Sequence, residues 1–244
     1  MICNGEVLIF IPTLNEVNNI EPLINQIIAL GVSADFYIID DNSTDGTLDI
    51  IKKLAAQYEA INYLIRPKKM GIGSAHKMGI QWAVDNNYKY LITMDCDFTH
   101  PPEYIPVLLD AKDNADIIIG SRYLKQGSLE GWSVFRKMLT YFGHFLTDRM
   151  LNMQYDASSA FRIYNMKLPM HSLCDKVVSE SYSFFFESLF ILHFNHFKIG
   201  EIPIRLPARA AGHSKMSWSD AVRSIRFLLE LYMKKIAKKH ELKL

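Results

Sequence analysis

The sequence predicts an α/β fold in which a mostly parallel central sheet carries helices on both faces. In the first half of the chain, apolar runs rich in β-branched residues alternate with segments of helical periodicity. These runs are continuously apolar, as expected for strands that are covered on both sides. Acids and glycines gather where the runs end, and open α/β sheets bind ligands at that edge. We therefore expect a binding site along one edge of the sheet.

The composition limits the classes of protein that the chain can represent. Its 244 residues are 49% hydrophobic and 22% charged, which is ample for one large core. The formal net charge is +1, so bulk charge does not favour binding to nucleic acid. Three widely spaced cysteines fit neither a disulfide framework nor a zinc site and indicate a reducing compartment. We find neither a signal peptide nor an apolar run of about 18 residues, so we expect a cytoplasmic protein.

The elements of the first half follow from their apolar patterns and from the residues that end them. Residues 7–11 predict a strand that stops at Pro12, and Asn18 is expected to cap a helix over residues 20–30. Further strands are expected at residues 36–39, 61–65, 91–94 and 115–120, and further helices at residues 48–58, 75–86 and from 101 onward.

The second half is less regular. Residues 129–153 have apolar side chains at helical spacing, an aromatic helix surrounds Glu187, and a strand is expected at residues 198–204. Residues 218–244 predict a basic amphipathic helix, and the chain from Arg205 onward holds ten Lys and Arg against three acids. Such a helix either lies in a membrane interface and attracts anionic lipid, or packs on the domain with a solvated basic tip.

Two aspartates end the apolar run at residues 91–94, and they are the centre of the expected site. Asp95 and Asp97 are one residue apart, where an unpaired buried charge would be costly. A hard divalent cation, Mg²⁺ or Mn²⁺, removes that cost, because it binds the carboxylate oxygens and often binds a diphosphate at the same time. The alternative for the pair is two solvated acids in a turn, and the pattern alone does not decide between them.

Eight short segments in a fixed order carry a resemblance to a known family. They are PTLNE at 12–16, DDNSTDGT at 40–47, GIGSA at 71–75, DCDFTHPPE at 95–103, GSRY at 120–123, the pair Trp132 and Arg136, SSAFR at 158–162 and RAAGHSKM at 209–216. The set resembles family 2 glycosyltransferases of the GT-A fold, and within them the polyprenyl-phosphate (dolichyl-phosphate) mannose synthase-like group. The resemblance implies a GT-A catalytic domain over residues 1–216, with residues 217–244 as a helix that is part of it or appended to it.

The resemblance implies a nucleotide-diphosphate sugar as donor. Asp95 and Asp97 would act in catalysis as the metal ligands, and Lys69 is a further candidate for contact with phosphate. For Asp41 and Asp45 turn capping is the competing interpretation, and it is favoured for Asp45. The expected donor-binding residues are Pro12, Asn15, Glu16, Asp40, Asp41, Gly71, Gly73, Asp95, Arg209, Ser214 and Lys215.

The expected acceptor is a phosphate monoester, which is already an anion at neutral pH. Such a group needs cations to bind and orient it and does not need a strong base. The planar fork of arginine meets phosphate oxygens two at a time. By resemblance, Arg122, Arg136 and Thr140 would hold this phosphate, and the two arginines would act in catalysis. Glu187 is expected either to pair with one of these arginines or to accept hydrogen bonds from sugar hydroxyls.

The sequence also departs from the family pattern at several positions. Cys96 replaces a common Ala, Thr99 stands where many relatives have Gln, and Ala160 replaces a frequent Gly. Close relatives often append transmembrane helices, which this sequence does not have. Structural roles are expected for three histidines, namely His100, His144 and His213.

Together these features predict a metal-dependent inverting glycosyltransferase. It would move a sugar, with mannose from GDP-mannose expected, onto a dolichyl- or undecaprenyl-type phosphate at the inner face of the membrane. One alternative uses a sugar hydroxyl as acceptor in polysaccharide or O-antigen assembly, and another uses UDP-glucose or a UDP-N-acetylhexosamine as donor. The last is a non-catalytic subunit that binds a nucleotide sugar.

Overall fold

A computed structural model describes residues 5–207 and 218–244, and it contains one seven-stranded sheet in that part of the chain. The strands are β1 Val7–Thr13, β2 Asp35–Asp40, β3 Ile61–Ile65, β4 Tyr90–Thr93, β5 Ile117–Ser121, β6 Arg162–Asn165 and β7 Ile199–Pro203. The helices are α1 Ile20–Ala29, α2 Thr47–Gln57, α3 Ile72–Asp85, α4 Ile105–Ala111, α5 Val134–Leu151, α6 Met170–Lys176, α7 Phe184–Phe194 and α8 Trp218–Ala237. Single turns of 3₁₀ helix occur at Pro102–Tyr104 and Lys239–Leu242.

The strand order is β3-β2-β1-β4-β6-β5-β7, and β6 alone in this sheet runs antiparallel to its neighbours. The other pairs, β1 with β2, β1 with β4, β2 with β3 and β5 with β7, are parallel. The predicted α/β fold with a mostly parallel sheet is therefore confirmed. Because the strands are parallel, the carboxyl ends of β1, β2 and β4 meet at one edge.

Two hydrophobic clusters cover the two faces of the sheet. Leu8 and Phe10 of β1 point into the cluster that contains α3, α6 and α7. Ile9 and Ile11 point to the opposite side, into the cluster that contains α1 and α2. This alternation follows from the two-residue period of a strand, and helices on both faces explain why the strand is apolar throughout.

Some predicted boundaries were wrong. The helix predicted at 129–153 begins at Val134, because the Oγ of Ser133 accepts a hydrogen bond from the Arg136 amide and caps it. Asn18 is not the cap of α1: the cap position is Asn19, and its side chain donates to Glu16 instead. The last helix ends at Ala237, before the predicted 244. Strand β6 and helix α6 were not predicted.

Helix α8 packs on the domain, since Leu228 and Leu231 are buried in the cluster that contains α3 and α7. The predicted boundary at residue 216 lies outside the described residues and stays a prediction. In the ranges 5–207 and 218–244, none of the helices combines the length and the apolar character needed to cross a membrane.

Candidate active site

A cleft of about 450 Å³ opens at the carboxyl edge of β1, β2 and β4. This is the edge at which the sequence predicted a binding site. Its walls come from the loops after these strands, from the start of α3, from the segment before α7 and from the first turn of α8. The lining residues are Pro12, Thr13, Leu14, Glu16, Asp41, Arg66, Lys69, Met70, Gly71, Ile72, Ala75, Asp95, Cys96, Asp97, Glu180, Ser181, Tyr182, Asp220 and Arg223.

Both aspartates of the central motif line this cleft. Asp97 is buried, and its Oδ1 accepts hydrogen bonds from the amide of Thr99 (3.1 Å) and from its hydroxyl (2.6 Å). Asp95 is more exposed, and its amide donates to Nδ1 of His100 (3.0 Å). His100 in turn stacks on Phe161 at 5.4 Å, which confirms its expected structural role. These contacts hold the loop, and both aspartates lie in the cleft wall.

The carboxylate pair suits a hard divalent cation. Among the described residues, no group of three or more His, Cys, Asp or Glu side chains is placed to enclose a metal ion. Two carboxylates at the mouth of a cleft match the way Mg²⁺ is held, because that ion takes one or two carboxylates and completes its shell with water and substrate phosphate. The donor set fits a cation shared with a bound diphosphate.

The two acids after β2 lie in different surroundings. Asp40 is buried away from the cleft lining, and its carboxylate accepts from the hydroxyl groups of Thr13 (2.7 Å) and Ser43 (2.6 Å) and from the Ser43 amide (2.7 Å). Asp41 lines the cleft. The sequence assigned both acids to the donor, whereas the geometry brings only Asp41 to the cleft wall and gives Asp40 a role in holding the turn.

In the segment after β1, some predicted residues also line the cleft while another only holds the loop. Pro12 and Glu16 line the cleft, as expected. Asn15 does not: its backbone has a positive φ of 53°, its amide donates to Ser43 Oγ, and its Oδ1 accepts from the Thr44 amide. Asn15 therefore joins the loops after β1 and β2 to each other. Asp45 accepts from the Thr47 amide and hydroxyl at the start of α2, as the turn-capping interpretation predicts.

Arg66 connects parts of the cleft wall, and the sequence reasoning missed it. The side chain is buried, and its guanidinium forms an ion pair with Asp41. It also donates to Ser74 Oγ (2.6 Å) and to the Gly71 carbonyl (3.1 Å). Because one planar guanidinium binds all three groups, Arg66 holds Asp41 against the start of α3. The sequence feature that could have identified Arg66 is its position directly after β3, at the start of a basic loop.

The glycines of the loop before α3 are required by a neighbouring segment of the protein. A Cβ on Gly71, whose φ is 96°, would lie 2.2 Å from the Glu180 carbonyl oxygen. A Cβ on Gly73 would lie 2.8 Å from Ser181 O and from Phe184 Cβ. The Gly73 amide donates to Glu180 O at 2.9 Å. The sequence left two interpretations open for both glycines, the approach of the donor and a plain turn from a loop into a helix. The structure shows Gly71 in the cleft lining and Gly73 packed under it.

Arg122, which the sequence assigned to the acceptor phosphate, lies just after β5. It is buried, and its backbone amide (3.1 Å) and Nε (2.7 Å) both donate to Oδ2 of Asp156. Burial disfavours its charged form, but the carboxylate of Asp156, with a smaller effect of Asp95, raises the pKa of Arg122 above its ordinary value. Asp156, which the sequence reasoning did not single out, thus keeps this cation in place. In the described chain, the residues that line the cleft do not include Arg122.

Tyr123 connects this region to α5. Its hydroxyl donates to the Thr140 carbonyl (3.2 Å), and its ring stacks on His144 with centroids 4.0 Å apart. Arg136 lies one turn before Thr140, with its guanidinium carbon 3.6 Å from the centre of the Trp132 ring. The structure therefore brings Thr140 next to the residue after Arg122, and it orients Arg136 by a cation–π contact.

Glu187 is bonded to backbone amides, whereas Arg122 pairs with Asp156. The Glu187 carboxylate accepts from the backbone amides of Val178 (3.0 Å) and Ser179 (2.8 Å), so it holds the segment before α7. Burial raises the pKa of Glu187, against the effect of these two hydrogen bonds. The remaining predicted residues, Arg209, Ser214, Lys215 and His213, lie outside the described residues.

Comparisons with known proteins identify the family of this chain. The family model described as "Glycosyl transferase family 2" matches residues 8–177. An undecaprenyl-phosphate mannosyltransferase from Micrococcus luteus is 32% identical over 212 residues, covering 86% of this chain and 87% of that protein. A polyprenol monophosphomannose synthase from Mycolicibacterium smegmatis is 31% identical over 216 residues, covering 87% and 82%.

Solved structures give the same fold. A glucosyl-3-phosphoglycerate synthase from Mycobacterium tuberculosis, in complex with Mn²⁺, UDP and phosphoglyceric acid, matches with a TM-score of 0.66 at 16% identity, over 96% of this chain and 79% of that one. TarS from S. aureus, residues 1–349 with UDP-GlcNAc, matches with a TM-score of 0.58 at 17% identity, over 96% and 69%. The cleft, the ordered motifs and the family match lead to one conclusion: the chain belongs to the family 2 glycosyltransferases and has their GT-A fold.

Proposed function

We propose that the protein transfers mannose from GDP-mannose to a polyprenyl phosphate at the inner face of a membrane, in a metal-dependent, inverting reaction. The observation that carries this proposal is the pairing of opposite charges in one cleft. Asp95 and Asp97 line the cleft at the carboxyl edge of β1, β2 and β4, and Lys69 lines it with them. The names of the two mannosyl-transferring relatives support the sugar and the acceptor, and the Mn²⁺ in the mycobacterial synthase supports a divalent cation.

On the donor side, this chain binds and orients the nucleotide diphosphate. Arg66 keeps the Asp41 carboxylate at the cleft wall, where it accepts hydrogen bonds from the nucleoside. Asp95 and Asp97 would hold Mg²⁺ or Mn²⁺, which supplies positive charge to the departing diphosphate. Lys69, which lines the cleft, together with Arg209, Ser214 and Lys215, would bind the same phosphates.

On the acceptor side, Arg122, Arg136 and the Thr140 hydroxyl bind and orient the lipid phosphate. Its oxygen is already ionised, so it attacks the anomeric carbon from the side opposite the diphosphate without a general base. A sugar hydroxyl as acceptor would instead require a carboxylate base. Asp156, the carboxylate bonded to Arg122, is fully buried and accepts two hydrogen bonds from that arginine, which suits it to positioning.

A substrate panel tests the proposal. Nucleotide sugars, namely GDP-mannose, UDP-glucose and UDP-N-acetylglucosamine, are supplied with Mg²⁺ or Mn²⁺ and with either polyprenyl phosphate or a free oligosaccharide. We expect mannose on the lipid phosphate, and no transfer after chelation of the metal. Labelling of the oligosaccharide alone would show that the acceptor is wrong. Tight donor binding without turnover would favour a non-catalytic subunit.

Two variants separate the sides of the site. Asp97→Ala is expected to abolish metal-dependent donor binding, measured by calorimetry.

Arg136→Ala is expected to weaken transfer to the lipid while donor hydrolysis stays measurable. Asp110→Ala and Lys52→Ala, on exposed faces of α4 and α2, are the matched controls. Equal loss of both activities in Arg136→Ala would contradict the separate acceptor role.

A further inference from the structure

Helix α5 has its apolar side facing outward. Six of its large side chains, Val134, Phe135, Met138, Tyr141, Phe142 and Phe145, are more than half exposed. Arg136, Thr140, His144 and Thr147 recur every three or four residues on the opposite side, where Thr147 is buried and Tyr123 contacts both Thr140 and His144. A surface helix of a water-soluble domain has the reverse arrangement, with the apolar stripe against the core.

Helix α8 has apolar residues on two sides. Leu228 and Leu231 are buried against the domain. Val222, Leu229, Met233 and Ile236 are more than half exposed, and their spacing places them along one stripe. Packing on the domain thus accounts for one side of α8 and leaves the other side uncovered in the described chain.

The two helices lie side by side. Nζ of Lys235 on α8 donates to the carbonyl oxygen of Met150 at the end of α5, at 3.0 Å. Leu146 and Met150 of α5 and Tyr232 of α8 pack against the same core cluster. The two helices therefore contact each other near their carboxyl-terminal ends, and each presents an exposed apolar stripe. We call this combined surface of α5 and α8 the apolar platform.

The charge of these two segments indicates what covers the platform. Residues 134–151 and 218–244 contain ten Lys and Arg and four acids, whereas the whole chain contains 27 and 26, which leaves 17 against 22 for the remainder. Arg149 and Arg226 are exposed on these helices, and Arg149 lies over the ring of Phe145. Apolar side chains bordered by cations match a bilayer surface with anionic lipids. A second copy of the chain would bring two sets of like charges together, which disfavours self-association through this surface.

We propose that α5 and α8 dock this protein on an anionic lipid bilayer, with the apolar platform inserted among the headgroups. The inference deepens the proposed function and rests on it for the lipid acceptor: the helix whose outer side meets the bilayer is the helix whose inner side carries Arg136 and Thr140. Docking through this surface brings the acceptor side of the cleft to the lipid headgroups. Exposed apolar patches of this kind on soluble domains mark interaction sites.

Co-sedimentation of the full chain with vesicles tests the docking. The vesicles are phosphatidylcholine alone, or phosphatidylcholine with phosphatidylglycerol. The double variants are Met138→Gln with Phe142→Gln on α5, and Leu229→Gln with Met233→Gln on α8. The matched control is Ile28→Gln with Val107→Gln, which removes exposed apolar side chains from α1 and α4. We expect each platform variant to lose at least about ten-fold in binding to the mixed vesicles, and the control to change less than about two-fold.

Transfer to farnesyl phosphate, a short acceptor that can be supplied without a bilayer, distinguishes this inference from the proposed function. The platform variants should keep this activity and their melting temperature, while their binding to the vesicles falls. Vesicle binding without any mannosyl transfer would overturn the proposed function and leave the docking intact. Equal vesicle binding by variants and wild type would overturn the docking. So would a wild-type dimer in gel filtration that becomes monomeric in the platform variants without a change in vesicle binding.

Discussion

His76 on α3 is a buried histidine whose ring packs against three phenylalanine rings. The ring lies 5.1 Å from Phe10, 5.4 Å from Phe184 and 4.9 Å from Phe185, measured between centroids. Within the described part of the chain, neither ring nitrogen has a hydrogen-bond partner. Burial, with smaller effects of Arg162 and His100, lowers the pKa of His76 to about 3. The side chain is therefore neutral at working pH, and it reduces the stability of the fold, because two polar atoms lose water without replacement.

This residue makes the stability depend on pH. In the unfolded chain His76 takes up a proton near about pH 6.5, whereas in the folded protein it stays neutral down to about pH 3. Above about pH 6.5 the residue is neutral in both states, so its protonation does not affect the free energy of unfolding. Between about pH 6.5 and about pH 3 only the unfolded chain binds the proton, and the free energy of unfolding falls by about 1.4 kcal/mol per pH unit. His76→Phe should raise the free energy of unfolding by about 1–3 kcal/mol and flatten the loss between about pH 7 and about pH 5.

Urea unfolding at both pH values measures this prediction. His171→Gln, a change at an exposed histidine, is the control and should leave the pH dependence as it is in the wild type. If His76→Phe loses as much stability on acidification as the wild type, the protonation argument is wrong.

At this scale, the sequence predicted the acids of the cleft more reliably than the residues that hold them. Asp41, Asp95 and Asp97 follow strands, and a strand end is readable from an apolar run. Arg66 and Asp156 act through partners 25 and 34 residues away. Nothing in a local pattern identifies such a partner, because it is set by which strand ends become neighbours in the sheet.

Strand β6, like helix α6, was not predicted from the sequence. It has four residues, and its first, Arg162, is a buried cation, which argues against a strand when only the pattern is considered. The fold satisfies this side chain with the carbonyl oxygens of Ser159, Ala157 and Phe185 and the hydroxyls of Tyr164 and Ser188. The formation of β6 therefore depends on packing against α7 and on pairing with β4 and β5. These contacts join residues that are far apart in the sequence, so a local pattern does not reveal them.

The start of α3 gives a prediction about an element as a whole. In Gly73→Ala the added Cβ meets backbone atoms of the Glu180–Ser181 segment at 2.8 Å, so α3 and that segment must separate. We expect a loss of about 1–3 kcal/mol in the free energy of unfolding, together with weaker donor binding, since both parts line the cleft. Denaturant unfolding and donor calorimetry measure the two effects.

Gly143→Ala on α5 is a matched control, because its Cβ would meet nothing within 4 Å. The same substitution inside a helix should there raise stability by about 0.5–1 kcal/mol. A destabilisation of similar size at both glycines would show that steric contact with the 180–181 segment is not the cause.

Across the whole molecule, the layers and the mostly parallel sheet could be predicted because alternating strands and helices have few ways to pack. The placement of α5 could not. Its apolar residues at helical spacing indicated a helix correctly, but periodicity does not say whether the apolar side meets a core or a bilayer. Only the buried Thr147 and the exposed Phe142, seen together, show which way it faces.

The uneven distribution of charge over the molecule predicts how membrane binding responds to salt. Attraction between the basic residues of α5 and α8 and anionic lipid is screened as the Debye length falls, whereas the insertion of apolar side chains is not. Raising the salt from about 0.05 M to about 0.5 M should weaken binding to mixed vesicles about ten-fold or more and leave binding to phosphatidylcholine within about two-fold. Sedimentation over a salt series measures both. Equal salt dependence on the two lipids would contradict an electrostatic contribution.

Helix α5 also sets a height. A helix is about 10–12 Å across with its side chains, so the guanidinium of Arg136 is held about one such thickness from the outermost atoms of Phe142. A phosphate at that level needs to rise only slightly from its neighbours, while all but the first isoprene units of its tail remain in the hydrocarbon. Turnover should therefore be almost indifferent to the number of isoprenes in a bilayer-bound acceptor, since the protein meets only the end of the molecule nearest the water.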